Sequence, residues 1–514
     1  MEKLDKIQMN IPRYVQEITE KLEKAGFVAY IVGGCVRDLL LGKEVEDWDV
    51  TTDARPEEIL KVFPEGKYEN KFGTVLVPVK DKGGKTEDVI EITTYRSEQG
   101  YSDRRHPDQV KFEDDLEKDL ERRDFTINAM AIGRITHNAQ RITPEHKERC
   151  EIYDTRYEII DLFGGRKDLE KKIIRAVGEP ADRFKEDALR LMRAIRFSCQ
   201  LGFAIEPKTE RAIKKMAGSI KFISQERIRD ELVKILDSGK SYEGIMFLHD
   251  NKILQYILPE LERGVGVDQN RHHIYTVFNH SVLSLKYCPN KDWRVKFASL
   301  LHDIAKPQAK RIVSDPSASS GQVATFYNHD IIGAKIVKKI MQRLKFSNED
   351  TEKVTNLIRH HMFYYNVGEV TEASVRRLIK KVGEENLADL IDLRVADRLG
   401  SGVPKAKPYK LRHLEYMMKK VRKDPISAKM LKINGDDLIR LLKITPGPKI
   451  GAILDVLLSE VIEDPKLNDK KYLEKRSGEL NKMELDELRK KAKGKIQEKK
   501  MEDDKELKGE FWVK

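Results

Sequence analysis

Cysteine is scarce. The 514-residue chain carries four, Cys35, Cys150, Cys199 and Cys288, far apart and never as a CxxC pair. That scatter excludes a zinc knuckle or a disulfide framework and predicts the reduced thiols of a cytosolic protein. Long apolar runs are missing too. None approaches the roughly 18 residues a membrane span needs. The opening MEKLDKIQMN lacks the apolar block of a signal peptide. Membrane and secreted classes are set aside, and a cytoplasmic location is expected. There is no surplus of negative charge: 97 Lys+Arg against 86 Asp+Glu leave a net charge of +11. This suits a polyanionic partner, although charge alone does not separate nucleic acid from a membrane surface. No internal repeat is present.

What is there is charge and helical patterning. Charged residues make up 36% and hydrophobic ones 39%, enough for several cores. At roughly 100–200 residues per domain the length predicts three or four domains. The first third mixes strands and helices. VAYIVGG reads as a buried strand ending in a glycine turn, CVRDLLLG as a short helix, and DWDVTT as a strand. RPEEILKVF reads as a helix with Pro56 in its first turn, and GTVLVPVK and DVIEITTYR as strands flanking the turn DKGGK. From about residue 164 apolar residues recur at helical spacing, as in DALRLMRAIRF, IRDELVKIL and GAKIVKKIMQRL, so the remainder is expected to be all helical. The fold class is α+β. Joints are expected near Gly264–Gly266, at 314–322 and at 401–408. Residues 476–514, rich in Lys and Glu, read as an exposed helix or a disordered tail rather than core.

Two groups of residues in the first half carry chemistry. After Gly33-Gly34, Asp47 and Asp49 stand two apart on a strand, so both carboxylates face one cavity while Trp48 turns into the core. Paired carboxylates suit Mg²⁺ and two-metal phosphoryl transfer. The glycines let backbone approach a triphosphate, the following helix start favours anions, and Arg37 reaches the same phosphates. Glu91, on a neighbouring strand, is the expected third carboxylate. Further on, Asp187 and Arg190 are three apart on what reads as one helix face. A carboxylate only accepts and a guanidinium only donates, which matches the amino donor and ring-nitrogen acceptor of adenine and cytosine and opposes uracil and guanine. Arg193 continues the spacing as a base or triphosphate contact. Arg196 drifts about 60° per step from that face, so geometry gives a structural ion pair equal weight.

The blocks GGCVRDLLLG, DWDVTT, ERRDFTINAMAI, IIDLFGG, IRAVGEPADRF, EDALRLMRAIRF and RIRDEL, in this order over about residues 20–240, resemble the bacterial tRNA nucleotidyltransferase (CCA-adding enzyme) and poly(A) polymerase family of polymerase-β-type nucleotidyltransferases. INGDDLIRLLKITPGPKIGAILDVLL is similar to the family's RNA-binding helical end. The resemblance implies addition of C, C and A to tRNA from CTP and ATP with Mg²⁺. It implies catalytic Asp47, Asp49 and Glu91, and nucleotide contacts from Gly34, Arg37, Arg123, Asp187, Arg190, Arg193 and Arg196. Glu186, Asp187 and Arg190 match the family's E-D-x-x-R template in full. Arg122, Asp124 and Asn128 border the nucleotide, with an Arg122–Asp124 structural clamp as the plainer reading. Residues 134–157 look like an insertion.

A third group lies at 280–397. LLHDIAKP puts a histidine beside an aspartate on an apolar helix, a costly burial without a metal or partner. Mixed N and O ligands suit a divalent transition metal or Mg²⁺. The order His280, His302-Asp303, His329, His360-His361, Asp397 resembles the HD superfamily of metal-dependent phosphohydrolases, with Ala305 where that family carries glycine. By that resemblance His280, His302, Asp303 and Asp397 bind one metal, such as Ni²⁺, Mn²⁺ or Mg²⁺. His329 and His360, or His361 in place of His360, bind a second metal or a phosphate near Lys306, and the module adds phosphodiesterase or phosphatase activity. His272 and His273 read as loop residues.

Arg211, Lys214, Lys215 and Lys221 form one basic cluster, and Lys405, Lys407, Lys410, Arg412 and 419–423 a second, suited to shape-based binding of tRNA. The expected domains are a nucleotidyltransferase head (1–163), a helical neck with the nucleotide-selecting helix (164–265), an HD domain (266–400), a tRNA-binding region (401–475) and the charged tail (476–514). Competing readings are a poly(A) polymerase, an enzyme adding only CC or only A, and an HD phosphohydrolase whose front half only binds RNA. The loop at 97–114, which governs switching between nucleotides, does not choose among them by sequence.

Overall fold

The structure, a computed structural model, describes residues 10–70, 73–80, 86–99, 109–135, 150–154, 157–269, 274–314, 322–422 and 431–513. The turn DKGGK, the centre of the 97–114 loop, most of the 134–157 insertion, His272, His273, residues 315–321 and Lys423 lie outside them. The chain forms two compact units, Met1–Arg359 with Asp392–Gly402, and His360–Ile391 with Val403–Lys514.

The strands of the head are β1 (Ala29–Val32), β2 (Asp49–Thr52), β3 (Lys67–Asn70), β4 (Thr74–Lys80), β5 (Thr86–Thr94), β6 (Arg96–Gln99), β7 (Gln109–Phe112), β8 (Ala131–Arg134), β9 (Cys150–Asp154) and β10 (Tyr157–Ile160), of which β2, β4 and β5 are β-branched runs. Eight of them form one mixed sheet in the order β3-β4-β5-β2-β1-β8-β10-β9, while β6 and β7 pair as a separate ribbon. Val50, Val75, Ile90 and Ile92 are fully buried, as expected of residues that pack well on a pleated surface. Two pairings position the chemistry. Val32 faces Asp49 across the antiparallel β1–β2 pair, and Asp49 faces Glu91 across the parallel β2–β5 pair. Trp48 is buried just before β2, as expected. The helix Pro56–Val62 starts on its proline, and the Arg55 N–H donates to the Glu58 carboxylate at 2.8 Å.

From Gly165 onward the chain is mainly helical, with two departures from the all-helical expectation. Ile173–Ile174 and Ala204–Ile205 (β11, β12) pair in parallel, and Arg311–Ser314 and Gln322–Thr325 (β13, β14) form an antiparallel hairpin. Short β-branched pairs beside turns suffice for these. A larger correction concerns EDALRLMRAIRF, which is not one helix. A helix ends at Glu186, Asp187 is extended (φ −139°), and the next helix runs Arg190–Leu201. The Asp187 carboxylate accepts the Leu189 N–H at 2.9 Å, a local bond that competes with helix continuation.

The second unit is helical. Asn434 and Asp437 cap the helix Gly435–Leu442 reciprocally, each bond 3.0 Å, and Pro448 opens the helix Pro448–Glu463 after the PGPKIG turn. Of the two readings of the tail, a helix and a disordered segment, the helix is found, and it also reaches core. Helices Lys470–Leu480 and Leu485–Glu510 are ordered against core, with Leu480 and Leu488 buried in the cluster of Ile453 and Leu457, and Leu507 and Val513 buried with Tyr416. A few widely spaced leucines carry this packing, so composition hides it.

Candidate active site

The glycine turn starts the site. Gly33, at the end of β1, has φ +90°, a left-handed conformation that only glycine adopts without strain. A Cβ there would lie 2.9 Å from Arg123 Nη1 and 3.2 Å from Asp49 Oδ2. The backbone thus passes directly under a carboxylate and a guanidinium. Arg37, one turn into the helix Gly34–Leu40, is buried and fixed bidentately by Asp38 (2.9 and 2.6 Å), and its Nη1 donates to Asn128 Oδ1 at 2.7 Å.

Gly33, Gly34, Arg37, Asp49, Arg123, Asp187, Arg190, Arg193 and Arg196 line one cavity of about 420 Å³. Its wall also holds Arg122, Asp124, Asn128, Phe197 and Arg227, so seven arginines face three aspartates. Asp47 and Glu91 lie outside that lining, next to Asp49 in the chain and in the sheet. Burial raises the Asp49 pKa, Arg123 opposes the rise and Asp47 adds to it. Burial and then Asp49 raise Glu91 as well. Asp49 and Glu91, both held toward protonation with the Asp47 charge adding to each, fit a divalent cation that would relieve them.

The arginines are held in place by buried acids. Asp119 takes Arg122 at 2.7 Å and Arg123 at 3.4 Å. Asp124 takes Arg193 Nε at 2.7 Å and the Asn128 amide at 3.1 Å. Burial alone would raise the Asp124 pKa, but Arg193, Asn128 and Arg190 bring it down to about 2. The Arg122–Asp124 clamp is therefore not formed; each residue has a different partner. Arg196 lies in the cavity wall and pairs with Glu231 at 2.7 Å, the structural ion pair that geometry allowed for. Asp187 and Arg190 reach the cavity from opposite sides of the turn rather than from one helix face. Arg190 Nη1 donates to Glu186 at 2.6 Å and Nη2 to the Arg122 carbonyl at 3.0 Å. Asp187 is held by Arg227 at 2.7 and 3.3 Å. Arg227 was missed in the sequence. The signal was the RIRDEL block, whose arginine has no fixed spacing to Asp187 and meets it only through folding.

The histidine group gathers elsewhere in the same unit. His280, His302, Asp303 and Asp397 are all buried. His280 Nε2 lies 3.0 Å from His302 Nε2, 3.1 Å from Asp303 Oδ2 and 3.4 Å from Asp397 Oδ1. His329 Nε2 approaches the other Asp303 oxygen at 3.3 Å. His302 Nδ1 faces the Ser299 carbonyl and His329 Nδ1 the Phe326 carbonyl, both at 2.8 Å, which orients Nε2 as the ligand atom. Nitrogen and carboxylate atoms converging at such distances fit a divalent cation. Lys306 bonds Asp303 at 2.6 Å, and Arg394 pairs with Asp397. Burial lowers His302, but Asp303 and Asp397 push it up to about 10. His360 ends the helix Asn348–His360 and, with His361, begins the second unit.

Of the basic clusters, Arg211, Lys214, Lys215 and Lys221 are exposed. In the second unit Lys407 pairs with Glu415 at 2.6 Å, Lys419 with Glu510 at 2.6 Å and Lys420 with Asp504 at 2.9 Å. Much of that stretch is thus neutralised locally.

Comparison with known proteins follows this layout. Residues 29–175 match the poly A polymerase head domain, residues 202–264 the probable RNA and SrmB-binding site of polymerase A, and residues 323–476 a putative domain 2 of tRNA nucleotidyltransferase. The CCA-adding enzyme of Lactiplantibacillus plantarum is 32% identical over 452 residues, 87% of this chain and 90% of that protein. The chain belongs to the CCA-adding enzyme family. The Lactobacillus helveticus member is 46% identical over 237 residues, but this match spans 46% of this chain and only about half, 53%, of that relative. The crystal structure of the Bacillus stearothermophilus CCA-adding enzyme in complex with CTP superposes with a TM-score of 0.55 at 26% identity, covering 92% of this chain and 98% of that one. Nucleotidyltransferases of this family use a divalent metal. Among the described residues no helix is long and apolar enough to cross a membrane.

Proposed function

We propose that this protein adds C, C and A from CTP and ATP to the 3′ end of tRNA in the cytoplasm. One observation carries the reading: a single cavity joins Asp49, an excess of arginines and the Asp187–Arg190 pair. The arginines bind the triphosphate, Arg37, Arg123, Arg193 and Arg196 among them. Asp187 accepts the exocyclic amino group of cytosine or adenine, and Arg190 donates to the neighbouring ring nitrogen. Uracil and guanine would leave both side chains without matching partners. An entering base takes the place of Arg227 at Asp187. The tRNA 3′-hydroxyl then attacks the α-phosphate in line; a new phosphodiester forms, pyrophosphate leaves, and the hydroxyl proton passes to solvent or a carboxylate. Asp47, Asp49 and Glu91 would hold Mg²⁺, which supplies charge neutralisation and a more acidic 3′-hydroxyl. The exposed basic cluster around Lys214 suits the phosphates of folded RNA.

The test is incubation of tRNA lacking its terminal nucleotides with each labelled nucleotide, singly and in pairs. Products of plus two with CTP, plus three with CTP and ATP, and no product with UTP or GTP are expected. Long adenylate tails, or a stop at CC or at a single A, would replace this reading with a poly(A) polymerase or a partial-adding enzyme. Absence of any incorporation would leave the hydrolase reading.

We infer further that His280, His302, Asp303 and Asp397 hold a divalent cation such as Ni²⁺, Mn²⁺ or Mg²⁺, with His329 approaching a second position. The convergence of the ligand atoms and the carbonyl-fixed histidine tautomers support this. Such a cation polarises a phosphoryl oxygen and acidifies bound water. Hydrolysis of a 2′,3′-cyclic phosphate that is lost in His302→Ala, with nucleotide addition kept, is the expected result; equal hydrolysis by that variant contradicts it.

A further inference from the structure

Phe197 is buried, 5% exposed, yet its ring forms part of the cavity wall. Three guanidinium groups converge on it. The Cζ atoms of Arg196, Arg37 and Arg193 lie 4.1, 5.1 and 5.4 Å from the ring centroid. Three cations within such a distance of one point repel one another. Each also has its own tether, and the tethers come from different elements: Asp38 and Asn128 hold Arg37, Asp124 holds Arg193, and Glu231 holds Arg196. The ring is a group that all three share. Its negative face attracts cations, and it accepts no strong hydrogen bond, so it holds the guanidiniums without using up their donors. Phe125 meets the ring edge-on, at 5.7 Å and 82°, and fixes its plane.

We propose that Phe197 is a positioning residue that sets the spacing of Arg37, Arg193 and Arg196 for the phosphates of the incoming nucleotide. The inference rests on the reading that this cavity binds a nucleoside triphosphate. The guanidiniums 4.1–5.4 Å from the ring are those assigned to the triphosphate, so its influence falls on the phosphates and not on base choice, which belongs to Asp187 and Arg190.

The experiment uses the full-length protein and inorganic tripolyphosphate, a probe with no base, by titration calorimetry. Position 197 carries phenylalanine or its mono-, di- and trifluorinated analogues, which keep the shape of the ring while weakening its quadrupole. Tripolyphosphate affinity is expected to fall stepwise, by about 10-fold across the series. KM for CTP and ATP should rise in parallel, with the preference over UTP and GTP and the melting temperature kept. Phe197→Leu should lose at least as much affinity and Phe197→Tyr should recover most of it. A flat affinity across the fluorinated series, or a change in base preference instead, would overturn the proposal. Failure of the wild type to bind tripolyphosphate would also overturn it. Ring-dependent binding in a protein that adds nothing to tRNA would leave this inference standing and remove the functional reading instead.

Discussion

The first unit builds two polar clusters of different composition into apolar surroundings. The arginine-lined cavity has donors in excess, seven guanidiniums against three carboxylates, and it opens a volume of about 420 Å³. The histidine cluster brings ring nitrogens and carboxylates together at 3.0–3.4 Å and is sealed, with His280 0% and His302 1% exposed. A donor surplus around a cavity calls for an anion that can come and go. Ring nitrogens and carboxylates gathered around a point are the donor set a divalent cation takes. The same unit thus sets an arginine-lined cavity in one place and a group of metal-ligand type in another.

The largest expected effect lies on the anion side. Asp49→Asn should lower nucleotide addition by roughly 10³-fold or more while tripolyphosphate still binds, because it removes a carboxylate and no arginine. Joint loss of both would mean the cavity wall depends on Asp49 for its shape. Next, Asp187→Ala should reduce discrimination of CTP over UTP by roughly 10²-fold, measured as the ratio of kcat/KM values. Unchanged discrimination would remove Asp187 from base selection. On the cation side, removal of metal by a chelator should lower the melting temperature by about 2–4 °C if the metal was present at some 100 times its dissociation constant. His302→Ala should show no such response, and a wild type equally indifferent would break the contrast. The smallest effect concerns Asp124. Its folded pKa of about 2 lies below the usual carboxylate value, so it adds stability above pH 4 that is lost as pH falls toward 2. The loss should be roughly 2 kcal/mol, and the acid limb of unfolding stability should be shallower by that amount in Asp124→Asn.

The sequence made several strands of the head legible because β-branched runs and glycine punctuation coincide there. β1 and β2 fall within VAYIV and DWDVTT and β5 spans DVIEITT, although β2 begins at Asp49 and leaves Asp47 off the strand. Local chemistry was legible for the same reason: Gly33, Asp49 and Arg37 are near in sequence as well as in space. What failed needed tertiary information. A helix through Asp187 satisfied the apolar period, but the carboxylate prefers the Leu189 N–H and breaks it. Arg227 and Phe197 sat inside the RIRDEL and EDALRLMRAIRF blocks, but no spacing tied Arg227 to Asp187 or Phe197 to Arg37 on other elements. The tail read as solvent-exposed because Lys and Glu outnumber its leucines, although Leu488 and Leu507 suffice to seat it.

The central claim is that Asp187 and Arg190 read the base after Arg227 withdraws. Crystals of the protein with CTP test it most directly. The account expects the cytosine amino group on Asp187, its ring nitrogen facing Arg190, and the Asp187–Arg227 pair opened. Cytosine bound elsewhere, with Arg227 still 2.7 Å from Asp187, would contradict it.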